Sequence, residues 1–337
     1  MENTPLVSII TPCYNSASYL SRYMDSMLAQ TYDRMQLILV NDGSRDNTEE
    51  VILSYAEPLR KKGCELTYVK QENTGLGGAV NRGLKEIQGE YFAWCDSDNF
   101  YTPDYVERKV RFFQENPQYS IVRCDGRIVN ENATDVTLGN MAWYRKELYK
   151  EDLFENCLYI RNFHFGCAML RTADFDKVNP QREIYPSREG QNWQLLLPMF
   201  YHYKSGYIDD AMFCFVIRGD SVSNIAAQRG LEAQLKQNEE YIKILTTTLK
   251  SMNLPEEEKY LHNIAVKYAK ANLRLSREAE NPEKAELFYR EVKELKALDL
   301  WDVINYGFVK YKVFEYLIRI VRAPWRMLVK LRNQQSA

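Results

Sequence analysis

The sequence predicts an α/β fold, with a Rossmann-like, mostly parallel sheet that has helices on both faces and a C-terminal helical appendage. Two observations lead to this prediction. Through the first 100 or so residues, short apolar segments typical of buried strands alternate with segments whose apolar residues recur at helical spacing. From about residue 226 the chain becomes charged and helical. We therefore expect a domain over 1–225, with halves 1–100 and 101–225, and a helical region over 226–337.

The first half contains four predicted strands separated by three predicted helices. The strands are 6–10, 35–40, 65–70 and 91–95. The first helix begins near Ser18, the second covers 48–61 and the third covers 79–87. In the first helix, Leu20, Tyr23, Met24, Met27 and Leu28 fall on one face, as expected for a helix packed on a sheet. Short connections between alternating strands and helices favour a parallel sheet.

The pattern is looser in the rest of the chain. Helices are predicted over 105–115 and 190–201, and strands over 120–124, 126–130, 165–171 and 211–218, whereas 131–160 is ambiguous. The helical region has predicted breaks at Pro255 and Pro282, because proline interrupts a helix interior. A last amphipathic helix pair is expected over 303–332.

Composition excludes several classes of protein. The chain has 337 residues, 45% of them hydrophobic and 27% charged, an ordinary globular balance. Its seven cysteines include no C-x-x-C pair, which argues against a disulfide framework or a zinc site and fits a reducing cytosol. We find no signal-peptide pattern and no apolar stretch that could span a bilayer. The expected location is cytoplasmic.

The C-terminal tail is basic although the chain as a whole has a net charge of −2. Residues 303–337 hold seven Lys or Arg and one Glu, a net charge of +6, so the remainder carries −8. Aromatic and aliphatic residues are interleaved with these cations. Two interpretations stay open: contact of 303–332 with the anionic inner face of a membrane, or packing on the protein body. The acidic remainder argues against nucleic-acid binding.

Asp96 and Asp98 are the central candidate for chemistry. They directly follow the aromatic-rich strand 91–95, and residues at i and i+2 of an extended chain project to the same side. Carboxylates at the carboxyl end of a strand in an open α/β sheet can bind Mn²⁺ or Mg²⁺ that is shared with substrate phosphates. The alternative is a simple Asx turn, since Asp-Ser-Asp-Asn is also common turn chemistry.

Two other predicted strands end in polar clusters that would lie at the same edge. Thr11, Tyr14 and Asn15 follow the first strand, and Asp42 follows the second. Carboxylates and an aromatic ring at one edge suit a nucleoside and its metal-bound diphosphate. Because the chain has neither a G-x-G-x-x-G fingerprint after the first strand nor a P-loop, dinucleotide and P-loop NTPase functions are disfavoured.

Three motifs in order resemble the family 2 glycosyltransferases of GT-A fold. They are Val40-Asn41-Asp42-Gly43-Ser44 with Asp46 and Thr48, Glu72-Asn73-x-Gly75 through Ala79-x-Asn81-x-Gly83, and Gly89-x-Tyr91 through Asp96-x-Asp98. The similarity is continuous over 6–100 and weaker at 166–171, 189–197 and 218–223. It implies that 1–100 binds the nucleotide and that 101–225 binds the acceptor.

The resemblance also implies roles for individual residues. Thr11, Pro12 and Tyr14 would pack on a uracil-type base that Asp42 hydrogen-bonds, and Asn73 belongs to the same donor site. Asp96 would lie near the ribose and the metal-bound diphosphate, and Asp98 would bind the metal directly. Arg218, Ser221 and Ser223 match a late segment that closes over the diphosphate in relatives.

The chain departs from the family pattern at the expected catalytic base. Relatives have a Glu-Asp pair just before an apolar helix, whereas this chain has Gln191-Asn192. An amide cannot accept a proton at neutral pH, so we expect Glu189 to be the base and Asn192 to position the acceptor. The alternative for Glu189 is an acid that complements the helix dipole. A structural role is expected for His164, although it could line the acceptor cleft.

The resemblance implies a metal-dependent, inverting enzyme that moves a sugar from a UDP-sugar to an acceptor hydroxyl. The acceptor would be a saccharide or a lipid-linked saccharide in cell-surface polysaccharide assembly. A sugar-nucleotide nucleotidyltransferase is disfavoured because the loop 11–15 contains no basic residue. A non-catalytic nucleotide- or glycan-binding relative is the alternative that Gln191-Asn192 favours. The sequence leaves the sugar, the linkage and the oligomeric state open.

Overall fold

The computed structural model describes residues 4–141, 150–159, 163–219 and 230–311. These residues form two compact units. The first unit holds the described residues up to 219 together with Lys250–Met252, and the second holds 230–249 and 253–311.

The first unit is built on a nine-stranded sheet. Its strands are β1 (Val7–Cys13), β2 (Met35–Asp42), β3 (Glu65–Gln71), β4 (Tyr91–Trp94), β5 (Phe100–Tyr101), β6 (Ile121–Asn130), β7 (Ala133–Asn140), β8 (Ala168–Arg171) and β9 (Ser205–Ile217). Their order across the sheet is β3-β2-β1-β4-β8-β6-β9-β5, and β7 pairs with β6. The four strands of the first half are mutually parallel, as predicted. Beyond them the sheet is mixed, because β8 runs antiparallel to both β4 and β6 while β6 and β9 are parallel.

Burial explains why the central strands could be recognised from their sequence. Every residue of β1, β2 and β4 is buried, as expected for parallel strands covered on both faces. The edge strand β3 is only partly buried. The predicted strands 120–124 and 126–130 form one continuous strand, β6, and the predicted strand 211–218 begins earlier, at Ser205.

Eight α-helices lie in the described part of the first unit before residue 219. They are α1 (Leu20–Leu28), α2 (Thr48–Ser54), α3 (Ala56–Lys62), α4 (Gly75–Lys85), α5 (Tyr105–Glu115), α6 (Phe154–Tyr159), α7 (Thr172–Val178) and α8 (Gln191–His202). In α1 the buried residues are Leu20, Tyr23, Met24 and Met27, which is the predicted apolar face.

Three predictions of local structure were wrong in detail. The predicted helix 48–61 is divided into α2 and α3 at Tyr55, since Pro58 has no N–H to continue the helical ladder. Helix α4 begins at Gly75 rather than at Ala79, so the glycine-rich stretch is helical. The predicted strand 165–171 starts as a 3₁₀ turn over Phe165–Cys167, because the His164 side chain accepts a hydrogen bond from Gly166 N.

The second unit is helical, as the sequence predicts. Its helices are α9 (Leu231–Met252), whose last three residues belong to the first unit, α10 (Glu257–Glu278), α11 (Pro282–Glu294) and α12 (Leu300–Lys310). Most of the predicted tail 303–332 lies outside the described residues. Among the described helices, none has both the length and the apolar character needed to cross a bilayer.

Candidate functional site

The carboxyl ends of β1, β2 and β4 bring the three motifs to one edge of the sheet. Cys13 is in register with Asn41, and Ile10 with Trp94. The chain after β4 stays beside β1, because Cys95 N donates a 3.0 Å hydrogen bond to Ile10 O. The two loops are also linked by their side chains, with the hydroxyls of Ser16 and Ser97 3.0 Å apart. The predicted meeting of these loops is therefore present in the fold.

Asp46 and Thr48 support the loop that follows β1. The Asp46 carboxylate accepts hydrogen bonds from Ala17 N at 3.0 Å and from Thr48 N at 3.2 Å. The Thr48 hydroxyl in turn accepts one from Ser16 N at 2.8 Å. Through these contacts, Asp46 and Thr48 hold the loop between β1 and α1 against the start of α2.

Asp42 lies at the N-terminus of α4 and is only 3% exposed. One carboxylate oxygen accepts hydrogen bonds from Thr74 N at 2.9 Å and from Gln71 Nε2 at 2.7 Å, and the other accepts one from Gly75 N at 2.9 Å. Asn73 Nδ2 donates to Asp42 O at 3.0 Å. Asp42 and Asn73 therefore fix the turn that begins α4, and any contact with a base would add to these bonds.

The predicted base-contacting residues of the first loop differ in exposure. The Thr11 side chain is fully buried and its hydroxyl donates to the Tyr23 hydroxyl at 2.6 Å, which places it between β1 and α1. Pro12 is also buried. Tyr14 is 49% exposed, so its ring is the part of this loop that is accessible to a ligand.

Asp96 is held in place by Asn99. Asn99 N donates to Asp96 O at 3.0 Å, and Asn99 Nδ2 lies 3.5 Å from the Asp96 carboxylate. The Asn99 side chain also accepts a 2.9 Å hydrogen bond from Val216 N in β9, so it joins the aspartate turn to the distant end of the sheet. Burial raises the pKa of Asp96 to about 6.

Asp98 lies between two arginines from different parts of the chain. Its carboxylate is 3.7 Å from Arg218 Nη1, and its backbone carbonyl accepts a 3.0 Å hydrogen bond from Arg22 Nη2 in α1. The Arg218 guanidinium stacks 3.8 Å above the Tyr19 ring. Burial, and next the charge of Asp96, raise the pKa of Asp98 to about 6, although Arg218 opposes the shift.

These two aspartates fit a divalent cation that is shared with a ligand. Both carboxylates are partly removed from water and repel each other, so a cation between them would favour their ionised forms. In the described ranges, no group of three or more His, Cys, Asp or Glu side chains could hold a metal by itself. The set therefore suits Mn²⁺ or Mg²⁺ whose remaining ligands are phosphate oxygens and water.

His164 lies beside this cluster and also caps the 3₁₀ turn that follows it. Its Nδ1 accepts a 3.1 Å hydrogen bond from Gly166 N, so in the neutral ring the proton is on Nε2. Nε2 lies 3.6 Å from the Asp96 carboxylate. Burial lowers the pKa of His164 to about 4, with Asp98 acting in the opposite direction, and the ring is therefore neutral at pH 7.

Asn192 is connected to the same region through its neighbour. Helix α8 starts at Gln191, after Gly190 in the left-handed conformation at φ +77°. The Asn192 side chain accepts a 3.3 Å hydrogen bond from Phe165 N, the residue after His164. The first turn of α8 thus lies beside the Asp96–His164 pair, which is where an acceptor-positioning residue is expected.

Glu189 lies in the loop that crosses the start of α4. Gly77 N donates to Ser187 O at 3.0 Å, and Asn81 bonds both the N–H and the carbonyl of Ile184. A Cβ at Gly77 would lie 2.5 Å from Ser187 O, so the crossing requires glycine at this position. This close approach also explains the glycine-rich start of α4. Because of this crossing, the loop that contains Glu189 passes the N-terminus of α4, where Asp42 accepts a hydrogen bond from Gly75 N.

Arg188 is a further cation at this crossing that sequence reasoning missed. Its Cγ would be 3.4 Å from a Cβ placed on Gly75, whose N–H is bonded to Asp42. Arg82, a cation of α4 itself, instead forms an ion pair with Glu86. The predicted residues Ser221 and Ser223 lie outside the described residues.

Comparison with known proteins agrees with this architecture. The model of glycosyl transferase family 2 matches residues 8–178. An uncharacterised glycosyltransferase of Rickettsia typhi is 40% identical over 173 residues, which is 50% of this chain and 51% of that protein. The glycosyltransferase GlyA of Streptococcus pneumoniae is 25% identical over 266 residues, 75% of this chain and 36% of that one. The chain thus spans about half, or less, of the length of these relatives.

Solved structures share the fold at low sequence identity. S. aureus TarS 1–349 in complex with UDP-GlcNAc has a TM-score of 0.61 and 17% identity, covering 92% of this chain and 91% of that one. The mannosyltransferase PcManGT from Pyrobaculum calidifontis, in complex with GDP-Man and Mn²⁺, has a TM-score of 0.58 and 15% identity, covering 98% and 84%. The family match covers half of the chain, and the fold is that of GT-A glycosyltransferases. The chain therefore belongs to glycosyl transferase family 2 and carries the glycosyltransferase domain of that family.

Proposed function

We propose that the protein is a metal-dependent, inverting glycosyltransferase that moves a sugar from a UDP-sugar to an acceptor hydroxyl. The observation that carries the proposal is the cluster after β4, where the carboxylates of Asp96 and Asp98 meet Arg218. Such a cluster combines groups that would bind a cation with one that would bind a diphosphate. A GT-A neighbour binds Mn²⁺ with its nucleotide sugar, which supports the same arrangement here.

The donor would lie across the ends of β1, β2 and β4. Tyr14 offers an exposed ring for the base, and Arg188, whose side chain lies against Gly75, offers a cation at the start of α4. UDP is preferred over GDP as the nucleotide because the family resemblance implies a uracil-type base and because TarS binds UDP-GlcNAc. A divalent cation bound by Asp98 and Asp96 would offset the negative charge that develops on the departing diphosphate.

Residues of the acceptor side would complete the reaction. Glu189 would remove the proton of the acceptor hydroxyl, whose oxygen attacks the anomeric carbon from the face opposite the diphosphate. The bond between that carbon and the diphosphate breaks, and UDP leaves with the bonding electrons. Asn192 would orient the acceptor, and Arg218 would bind the diphosphate as its charge grows. The division into a donor half (1–100) and an acceptor half (101–225) is part of this proposal.

Ligand binding is the first test of the proposed donor. A thermal-shift screen would compare UDP, GDP and their sugar derivatives with and without MnCl₂, since a ligand that binds the folded state raises its apparent stability. We expect UDP and at least one UDP-sugar to raise the midpoint, and only when Mn²⁺ is present. A selective response to GDP compounds, or a response that does not need a divalent cation, would contradict the proposal.

Catalysis is the second test, because Gln191-Asn192 also suits a relative that binds but does not react. Release of UDP from each UDP-sugar would be measured with water and with saccharide or lipid-linked saccharide acceptors. Transfer with inversion at the anomeric carbon is the expected result. Binding of UDP without hydrolysis or transfer from any donor would support the non-catalytic alternative. Cell-surface polysaccharide assembly is the proposed role of the product.

A further inference from the structure

Helix α12 has its polar side facing the protein and its apolar side facing water. Asp302 and Asn305 are 4% and 8% exposed, whereas Leu300, Trp301 and Val303 are 72%, 69% and 46% exposed. Amphipathic helices of globular proteins normally bury their apolar face. The orientation of α12 is therefore inverted relative to its sequence pattern.

Polar contacts within the second unit hold α12 in this orientation. Lys270 of α10 lies 2.8 Å from the Asp302 carboxylate and 2.7 Å from that of Asp299. Asp299 and Asp302 also form a capping box, in which each side chain accepts a hydrogen bond from the other's backbone N–H. Turning the apolar face inward would break these ion pairs, and the Lys270 ammonium would lose both Asp299 and Asp302. The outward apolar face is therefore a stable feature of the unit.

A second set of contacts fixes the other end of the helix. Tyr306 stacks on Tyr289 of α11 with ring centroids 4.2 Å apart, and Lys310 lies 3.0 Å from the Glu286 carboxylate. At about 100° per residue, the side chains near the direction of Leu300 form one stripe along α12. The members of this outer stripe are Leu300, Trp301, Val303, Ile304 and Tyr311. None of them is fully buried, and Tyr311 is 56% exposed.

The charge of the adjoining chain identifies what would cover the outer stripe. From Lys310 to Arg332 there are seven Lys or Arg and one Glu. The same segment contains Trp325 and many aliphatic residues. Tryptophan is favoured at the boundary between headgroups and acyl chains, and Lys and Arg are attracted to anionic lipids. A second copy of the chain would bring two segments of the same positive charge together, which argues against self-association.

We propose that the outer stripe of α12 docks on an anionic lipid surface, with Leu300, Trp301 and Val303 inserted at the headgroup boundary. Membrane contact of 303–332 was one of two interpretations that the sequence left open, and the exposed side chains from Leu300 onward favour it. The docking does not depend on the proposed transferase reaction, because it concerns only the second unit and the chain after it.

Vesicle flotation of the full-length protein tests the proposal. The vesicles would be phosphatidylcholine alone, or phosphatidylcholine with about one third phosphatidylglycerol. We expect flotation with the anionic vesicles, little with the neutral ones, and a decrease at high salt because the attraction is screened. The triple variant L300S/W301S/V303S removes the apolar contact and keeps Asp299 and Asp302. Its partition coefficient should fall at least about tenfold.

A matched control and a second readout keep the result interpretable. The variant L53S alters a leucine that is 50% exposed in the first unit and should float like the wild type. Circular dichroism should show that the triple variant keeps its helices. Equal flotation of the triple variant and the wild type, or no flotation of the wild type, would overturn the proposal. So would light scattering that shows a wild-type dimer and a monomeric triple variant. The assay contains no nucleotide, so a failed transferase assay leaves it unaffected.

Discussion

Arg218 Nη1 lies 3.7 Å from Oδ2 of Asp98, although 120 positions separate the two residues in the chain. Arg218 follows the last strand of the sheet and Asp98 follows the fourth, so the mixed second half of the sheet brings them together. The guanidinium is also stacked on Tyr19. A planar cation held in this way can bind a diphosphate beside the cation site without a large change of conformation.

Replacing Arg218 should weaken donor binding more than it alters the fold. For R218A we expect the KM for the UDP-sugar to rise about 10- to 100-fold, the loss typical of a hydrogen bond to a charged group. R218K should recover part of this loss, because lysine keeps the charge but not the planar stacking on Tyr19. Steady-state kinetics with a varied donor would measure both. A KM unchanged in R218A would remove Arg218 from the donor site.

Replacing Asp98 by Asn should stabilise the protein in the absence of divalent cations. The folded-state pKa of Asp98, about 6, lies above the ordinary value of 3.8, so the folded protein binds more protons than the unfolded chain between these values. Stability from this group is therefore present at low pH and is lost as pH rises through about 6. At pH 7.5 with EDTA, D98N should be more stable by on the order of 1 kcal/mol, and the difference should vanish near pH 4.

The same variant should lose the stabilisation that Mn²⁺ with UDP gives to the wild type. Thermal unfolding in EDTA and in MnCl₂ with UDP would measure both effects. D33N, which alters a carboxylate that is 72% exposed, is the control for removing one negative charge. A D98N protein that is less stable than the wild type at pH 7.5, or that responds equally to Mn²⁺ and UDP, would contradict the role we give to Asp98.

Exchanging the acidic and amide side chains before α8 should identify the base. E189Q should lower kcat by about 10²- to 10⁴-fold with little change in donor KM, because a general base contributes to the transition state. E183Q, in the same loop and 55% exposed, is the matched control and should be fully active. Adding Asn192→Asp to E189Q restores an acid at the family position. An E189Q protein that keeps its full turnover would show that Glu189 is not the base. Recovery in the double variant after a loss in E189Q would show that an acid at the start of α8 can replace Glu189.

Gly77→Ala should disturb the active site through the loop that carries Glu189. The new Cβ would meet Ser187 O at 2.5 Å and the Pro186 Cα at 2.9 Å, and backbone atoms cannot move away as a flexible side chain can. We expect a loss of about 1–3 kcal/mol in the free energy of unfolding and a fall in kcat. Gly139→Ala, where nothing lies within 4 Å, should have neither effect. Denaturant unfolding and turnover would be measured for both, and equal values would show that the crossing tolerates a side chain.

The donor side of the site was largely predictable because its signals are local. The composition of the three buried strands β1, β2 and β4 predicts them directly, and Asp96 and Asp98 can be recognised because they follow β4. Their neighbours were not predictable in the same way. Arg22 and Tyr19 come from α1, and His164 reaches Asp96 through a turn that was predicted as a strand. No local pattern marks contacts between residues this far apart in the chain.

The helices illustrate a related limit. The pattern of α12 predicts an amphipathic helix, and the structure has one. The pattern does not predict which side of the helix is covered by the protein. In the structure the polar side is covered, because Lys270 forms an ion pair with Asp302. For a similar reason, the helix that follows the glycine-rich stretch was predicted to begin only at Ala79. Its glycines serve a crossing with residues 184–187, and that crossing is not visible in the stretch itself.

The buried amide of Asn99 joins the aspartate turn to Val216, two residues before Arg218. The chain between Asn99 and Val216, roughly residues 101–215, therefore starts and ends at the same hydrogen bond, beside the proposed donor site. If the proposed division into donor and acceptor halves holds, insertions, deletions and substitutions within that span would change which acceptor is recognised, while the carboxyl ends of β1, β2 and β4 keep their geometry. The hydrogen bond between Val216 N and Asn99 would in this way let acceptor specificity change while the donor-binding residues stay in place.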